Sequence, residues 1–247
     1  MKTARYQKRF YRDWVYPKGL YKEEIMMRET DVQILTDKPL DKDFAIKRIA
    51  FYRGQIENYI NYKDKRFLTS LKPIEVELRA PAIIKEMARQ AKIANVGPMA
   101  AVAGAIAQFL GRDLLKKGYR EVIIENGGDI FLRVKRRIQV GLYHGKNKVL
   151  NALCLKIKAQ DKPMGICASF GAVGHSLSFG SADSVIIISG NAALADAVAT
   201  ATANRVNSKD DFNKAIAFAR SIKGVCGVII VLGPHLAAWG KRVALAK

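Results

Sequence analysis

The sequence contains few cysteines and no cysteine pair. Cys154, Cys167 and Cys226 are far apart, and they form neither a CxxC motif nor the spacing of a metal-ligand set. An odd, scattered set of this kind argues against a disulfide framework and a structural zinc site. Because such a composition suits a reducing compartment, we expect a cytoplasmic protein.

The sequence also shows neither a secretory leader nor a membrane span. Its basic and aromatic first residues, MKTARYQKRFYRDWVYPKG, have no apolar core segment, so they do not predict export. The longest uncharged run, residues 93–111, approaches spanning length, but glycine, proline and amide side chains interrupt it and weakly apolar alanine dominates it. We interpret this run as a buried helix and expect no membrane partner.

Acidic residues are scarce. The formal net charge is +20, and no acidic residue stands between Arg133 and Lys158. This excess favours an anionic partner, such as nucleic acid, acidic lipid or a phosphorylated cofactor. Arg133, Lys135 and Arg137 alternate along a predicted strand, where cations also block edge-to-edge pairing. Because no named nucleic-acid-binding motif is present, a basic nucleic-acid-binding protein is the alternative rather than the leading hypothesis.

Hydrophobic periodicity predicts helices over residues 41–62, 81–92, 98–117, 191–206 and 210–222, with Asn95 or Gly97 capping the third. The remaining apolar segments predict strands, including IEVELR at 74–79 and a hairpin pairing residues 9–16 with 31–37. Without repeats or low-complexity linkers, this pattern predicts a single α+β domain over residues 1–247. Its largely antiparallel sheet is expected to pack against helices rich in alanine and glycine.

The first candidate site is the stretch IENGGDIF. Its Asn-Gly pair predicts a type I′ β-hairpin, since both central residues of that turn need positive φ angles. The functional alternative is that Gly127 and Gly128, which lack Cβ atoms, let the backbone approach a phosphate or a flat ring. Asp129 would then bind a ribose or another hydroxyl group.

The second candidate is the glycine- and serine-rich stretch ICASFGAVGHSLSFGSADSV. His175 stands between Gly174 and Ser176, outside any obvious apolar core, where a histidine can act as an acid, a base or a ligand contact. Cys167 lies eight residues earlier. A thiol-dependent enzyme that uses Cys167 is therefore a further alternative.

The third candidate is ADAVATATANRV. Asp196 and Thr200 are four residues apart, so a helix places the carboxylate and the hydroxyl on one face. Such a pair occurs on ordinary helix surfaces, but it also offers the hard oxygen ligands that Mg²⁺ prefers.

Taken in order, ENGGDI, the loop ending in GHS, and ADAVATATA resemble the motifs of the ApbE-like superfamily, typified by FAD:protein FMN transferases. The resemblance is strongest over residues 95–206 and is closest to a short, uncharacterised bacterial and archaeal branch. In the transferases, FAD binds beside Mg²⁺, FMN is transferred to a threonine or serine of an acceptor protein, and AMP leaves.

The resemblance implies a role for each candidate residue. Asp196 and Thr200 match the metal-holding aspartate and threonine, and Asp196 and His175 are implied to be catalytic. The implied contacts to FAD, FMN or another phosphorylated ligand are Asn126, Gly127, Gly128, Asp129, Ser169, Gly174, His175 and Ser176.

The chain also departs from the family pattern. Asn95 and Ala101 replace an aspartate and a lysine of the transferase motif, and Ser176 begins a different sequence after His175. FMN transfer and pyrophosphate cleavage therefore both stay open as reactions.

Overall fold

The computed structural model describes residues 19–141, 154–170 and 180–240, and the backbone of 245–246. The strands are β1 Tyr21–Met27, β2 Thr30–Thr36, β3 Val122–Asn126, β4 Asp129–Arg133, β5 Ile138–Gly141, β6 Cys154–Ile157, β7 Met164–Phe170, β8 Ser184–Ser189, β9 Val225–Leu232, β10 His235–Trp239 and β11 Leu245–Ala246. The main sheet has eight strands in the order β1-β2-β3-β4-β7-β8-β9-β10, and every neighbouring pair is antiparallel. A smaller antiparallel sheet has the order β11-β6-β5.

Five of the six α-helices among the described residues lie where the apolar periodicity predicts them, and the short helix Arg66–Thr69 was not predicted. They are α1 Lys42–Tyr62, α2 Arg66–Thr69, α3 Ala82–Ala94, α4 Val102–Lys116, α5 Ala192–Ala203 and α6 Phe212–Ser221. Asp41 caps α1 by accepting from the Phe44 amide, and Asn191 caps α5 by accepting from the Leu194 amide. A 3-10 turn, Pro98–Ala101, leads into α4.

The main sheet separates two hydrophobic cores. One face packs on the helices, with α5 against β7 and β8 and in contact with α3 and α4. The other face contributes Leu132, Ile166 and Ile186 to a second core, which Leu155 and Ile157 of the small sheet complete. The described residues therefore form one α+β domain with antiparallel sheets, as the sequence predicts.

Some local predictions are wrong. Strand β2 pairs with β1, so the first hairpin uses Tyr21–Met27, and residues 9–16 lie outside the described residues. Residues 74–79 form no strand, because their alternation finds no pairing partner. Of the two residues expected to cap the third helix, Gly97 is the N-cap of the 3-10 turn that leads into α4, whereas Asn95 ends α3 in the left-handed conformation, with φ 57°.

Among the described residues, no single helix is long and apolar enough to cross a membrane. Helix α3 and the segment Pro98–Lys116 meet those criteria only as a pair, and they are bent by 104° relative to each other.

Candidate ligand site

Helix α5 carries a carboxylate and a hydroxyl into the interior. Every residue from Ala192 to Ala203 is buried, which explains why the run consists mainly of alanine. Asp196 and Thr200 are only 9% and 7% exposed. The predicted i, i+4 pair is therefore not an ordinary solvent-facing helix surface.

One carboxylate oxygen of Asp196 binds the start of α4. Asp196 Oδ2 accepts a hydrogen bond of 2.8 Å from the Gly104 amide, and the Ala103 amide also donates to this carboxylate. The first amides of a helix have no carbonyl partner within the helix and carry its partial positive charge. Asp196 therefore joins α5 to the amino terminus of α4.

The predicted glycine turn lies beside this junction. Gly127 and Gly128 have φ angles of 70° and 100°, as a type I′ hairpin requires, and they connect β3 to β4. Asn126 Nδ2 donates to the Ala103 carbonyl at 3.1 Å. The Gly128 amide donates to Glu125 Oε1 at 2.8 Å, so a phosphate could use that amide only by displacing the carboxylate.

Asp129 begins β4 and is 6% exposed. Because Ile130 pairs with Ile166 in the antiparallel register of β4 and β7, Asp129 lies beside Cys167 of β7. Both residues are on the face of the sheet that packs against the helices. The Cys167 thiol and the Ala168 amide contact its carboxylate, but Asp129 Oδ1 is buried and has no hydrogen-bond partner among the described residues. Such an orphaned oxygen is costly unless a ligand or a cation completes the site.

Ser169 supplies a second orphaned group on the same face of β7. It lies two residues beyond Cys167, is 2% exposed, and has no described hydrogen-bond partner for its Oγ atom. Residues 171–179 follow directly, so the predicted site residues Gly174, His175 and Ser176 lie outside the described residues. Their place in the site stays a prediction.

The two buried aspartates repel each other. Burial raises the pKa of Asp129 well above its usual value, and the charge of Asp196 raises it further. Burial raises the pKa of Asp196 to about 7, although the Gly104 and Ala103 amides oppose that rise. Neither carboxylate forms a salt bridge within the described part of the chain. Both carboxyl groups therefore keep their protons to a higher pH than exposed aspartates do, and a cationic partner would favour their charged forms.

The described residues do not provide a complete metal shell. They contain no group of three histidine, cysteine, aspartate or glutamate side chains able to hold a metal ion. Mg²⁺ does not need such a group, because it commonly takes one or two carboxylates and completes its shell with water and ligand phosphates. Asp129 Oδ1 and the Asp196 carboxylate have the chemistry of that partial donor set.

Several groups at this site could not be identified from sequence alone. They are the Ala103 and Gly104 amides, the side chain of Cys167 as a partner of Asp129, and the packing that brings α4 against α5. The sequence signal that indicates the packing of α4 against α5 is the glycine at position 104. A Cβ there would lie 2.5 Å from the Ala192 carbonyl oxygen.

The thiol alternative loses support. Cys167 is fully buried, and its Sγ atom donates to the Ala192 carbonyl at 3.3 Å. Burial raises the pKa of this thiol well above its usual value, and the charges of Asp129 and Asp196 raise it further. A reactive thiolate requires the opposite environment, with cations and solvent access.

Part of the basic segment is engaged within the fold. The Arg133 guanidinium donates to the Tyr119 and Arg120 carbonyls, Lys135 pairs with Asp161, and Arg136 pairs with Glu121. These contacts give the cations a structural role, because they join residues 133–136 to residues 119–121 and to Asp161.

Sequence comparison places the chain among archaeal relatives. A family model described as AbpE bacteria matches residues 12–224. A UPF0280 protein of Methanococcus aeolicus is 39% identical over 231 residues, which cover 91% of this chain and 92% of the relative. A UPF0280 protein of Methanocaldococcus jannaschii is 39% identical over 235 residues, with coverage of 92% and 93%.

Structure comparison agrees on the fold. The flavin transferase ApbE from Vibrio cholerae matches with a TM-score of 0.59 and 13% identity, over 91% of this chain and 97% of that chain. The ApbE protein from Thermotoga maritima matches with a TM-score of 0.60 and 13% identity, over 90% and 96% of the two chains. The chain therefore belongs to the family described as AbpE bacteria, and it has the fold of the ApbE flavin transferases.

Proposed function

We propose that this protein binds a flavin nucleotide, FAD or FMN, together with Mg²⁺ at the site formed by Asp129, Asp196 and Thr200. The observation that carries this proposal is the buried carboxylate pair, with an orphaned oxygen on Asp129 and no described cationic partner. A divalent cation would remove the repulsion and link the pair to a phosphorylated ligand. The family membership and the flavin transferase neighbours favour a flavin as that ligand.

The reaction that fits this site is attack on the pyrophosphate of FAD. A hydroxyl of an acceptor protein would bond to the phosphorus that carries the flavin, giving FMN transfer, or a water molecule would do so, giving pyrophosphate cleavage. In either case the P–O bond to the other phosphate breaks, AMP leaves, and the proton of the attacking group passes to the base. When bound, the metal would neutralise phosphate charge as it develops during attack. Because the structural neighbour from Vibrio cholerae is a flavin transferase, we place transfer to an acceptor first.

The chain's own residues have distinct tasks in this proposal. The Gly104 amide binds Asp196 Oδ2, which fixes the direction of the carboxylate. Thr200, one turn farther along α5, offers a hydroxyl on the same face. His175 remains the proposed acid or base of the reaction.

Substitutions on α5 test the proposal. Asp196→Asn removes the charge that a metal needs, whereas Thr200→Ser keeps the hydroxyl. We expect Asp196→Asn to weaken Mg²⁺-dependent binding of ADP or FAD by about tenfold or more, since losing a charged ligand costs at least ~1.4 kcal/mol. Thr200→Ser should stay within about threefold of the wild type, a difference below ~0.7 kcal/mol.

Isothermal titration of FAD, FMN and ADP, with and without Mg²⁺, measures these affinities. Circular dichroism of each variant checks that the fold is retained. The proposal fails if the wild type binds none of the three nucleotides, or if Asp196→Asn binds them as tightly as the wild type does in Mg²⁺.

A further inference from the structure

Another buried carboxylate, outside the proposed site, lies on α3. Glu86 is 8% exposed and belongs to none of the candidate motifs. Its Oε1 atom accepts hydrogen bonds from Gln90 at 3.1 Å, Gln108 at 3.2 Å and Asn191 at 2.5 Å. Its Oε2 atom accepts from Arg89 at 2.6 Å. Glu86 therefore links α3 to α4 and to the residue that caps α5.

Two of these partners hold the first turn of α5 with their other ends. Gln108 Oε1 accepts from the Ala192 amide at 2.7 Å, and Asn191 Oδ1 accepts from the Leu194 amide at 2.9 Å. Each amide side chain thus donates an N–H to Glu86 and accepts, with its carbonyl oxygen, a hydrogen bond from a backbone amide of α5. These two bonds satisfy helix amides that have no partner within the helix.

The chemistry of Glu86 determines the orientation of both amides. An ionised carboxylate only accepts hydrogen bonds, so it draws the NH₂ groups of Gln108 and Asn191 toward itself and leaves their oxygens facing α5. Burial alone would raise the pKa of Glu86, but the N–H groups of Asn191 and Arg89 hold that pKa below its usual value. The acceptor is therefore ionised at neutral pH.

We propose that Glu86 is a positioning residue for Asp196. By orienting Gln108 and Asn191, Glu86 fixes the first turn of α5. It thereby keeps the Asp196 carboxylate hydrogen-bonded to the amides at the start of α4. Part of this inference rests on the proposed function, because only a ligand role for Asp196 makes its position matter for binding. The position itself can be measured without any ligand.

The Gly104 amide is a direct reporter of that position. It lies in the first turn of α4 and donates to Asp196 Oδ2, so its hydrogen exchange slows only while Asp196 stays in place. Exchange measured by NMR in the variant Asp196→Ala gives the rate without this bond. The same measurement on Glu86 variants then shows whether Asp196 has moved.

Three further variants separate positioning from general stability. Glu86→Met removes every bond of the carboxylate, whereas Glu86→Gln keeps one acceptor oxygen for Gln108 and Asn191. Gln90→Met is the matched control, because Gln90 binds Glu86 within α3 and its bond does not reach α5.

We expect Glu86→Met to speed exchange of the Gly104 amide by about tenfold or more, toward the rate in Asp196→Ala, since opening that bond changes its protection directly. Glu86→Gln should restore most of the protection, and Gln90→Met should keep it even if the variant unfolds at a lower temperature. Wild-type protection of Gly104 in Glu86→Met overturns the inference, as does equal loss of protection in Gln90→Met.

Titration of ADP with Mg²⁺ adds the functional readout. Groups behind metal ligands typically change affinity by about 10–100-fold, and we expect a loss in this range for Glu86→Met but not for Gln90→Met. If the wild type binds no ADP, the proposed function fails, but hydrogen exchange of the Gly104 amide still tests the positioning role. If ADP binds equally well to Glu86→Met and Gly104 stays protected, the positioning role fails while the proposed function stands.

Discussion

Replacing Gly104 by alanine is expected to lower the free energy of unfolding by about 1–3 kcal/mol, the usual cost of overfilling a packed interior. A Cβ at position 104 would lie 2.5 Å from the Ala192 carbonyl oxygen and 2.8 Å from Asp196 Cβ. The first neighbour is backbone, so α4 and α5 must separate to make room. That separation also lengthens the bond from the Gly104 amide to Asp196, and nucleotide affinity should fall with stability.

The chain contains a matched control for this substitution. Gly54 lies in the interior of α1, and a Cβ there would meet no atom within 4 Å. Gly54→Ala should therefore raise the free energy of unfolding, by up to about 1 kcal/mol, because alanine favours the helix. Urea unfolding followed by circular dichroism compares the two variants. Equal effects of the two substitutions would show that the close contact of α4 and α5 does not determine the result.

The second large effect concerns pH. Stability should increase as the pH falls from about 7 toward 3.8, the range between the raised and ordinary pKa values of Asp196. A carboxyl group whose pKa is raised by folding binds its proton more tightly in the folded state, so protonation favours folding. Glu86 acts in the opposite direction, but only below its ordinary pKa of 4.5. Since each pKa unit is worth about 1.4 kcal/mol, the gain is on the order of several kcal/mol.

Neutral variants identify the groups responsible. Asp196→Asn and Asp129→Asn should each flatten the dependence of unfolding free energy on pH, because each removes a carboxyl group whose pKa folding raises. Asp196→Asn should also stabilise the metal-free protein at pH values above about 7, where wild-type Asp196 is ionised and its burial is most costly. Asp43→Asn, which alters an exposed carboxylate of α1, is the control and should keep the wild-type profile. A wild-type protein whose stability rises steadily with pH across this range would contradict the description of a repelling buried pair.

The sequence predicts those parts of the site that depend on local geometry. Helical spacing alone places Asp196 and Thr200 on one face, and the structure shows this pair on α5. The Asn-Gly pair predicts a hairpin turn, which is also present, but its central residues are Gly127 and Gly128, while Asn126 ends β3. The antiparallel α+β fold was also predictable, because apolar residues repeat with the two-residue period of strands in some segments and with the helical period in others.

What could not be predicted depends on contacts between distant segments. The bond from the Gly104 amide to Asp196 joins residues 92 positions apart, and no local pattern indicates it. Strand β1 was missed because Lys22, Glu23 and Glu24 make it polar, as is common for a strand at the edge of a sheet. Residues 74–79 were predicted to form a strand and do not, since an alternating pattern does not form a strand without a partner.

Crystals grown with ADP and Mn²⁺, in place of Mg²⁺, provide the most direct measurement of the central claim. Anomalous scattering locates Mn²⁺ independently of the protein. We expect a peak bonded to the Asp196 carboxylate and to a phosphate oxygen of ADP, close to Asp129 Oδ1, and we expect that peak to be absent from Asp196→Asn. A nucleotide bound elsewhere, or a wild-type crystal with no metal peak between these two aspartates, would contradict the proposed site.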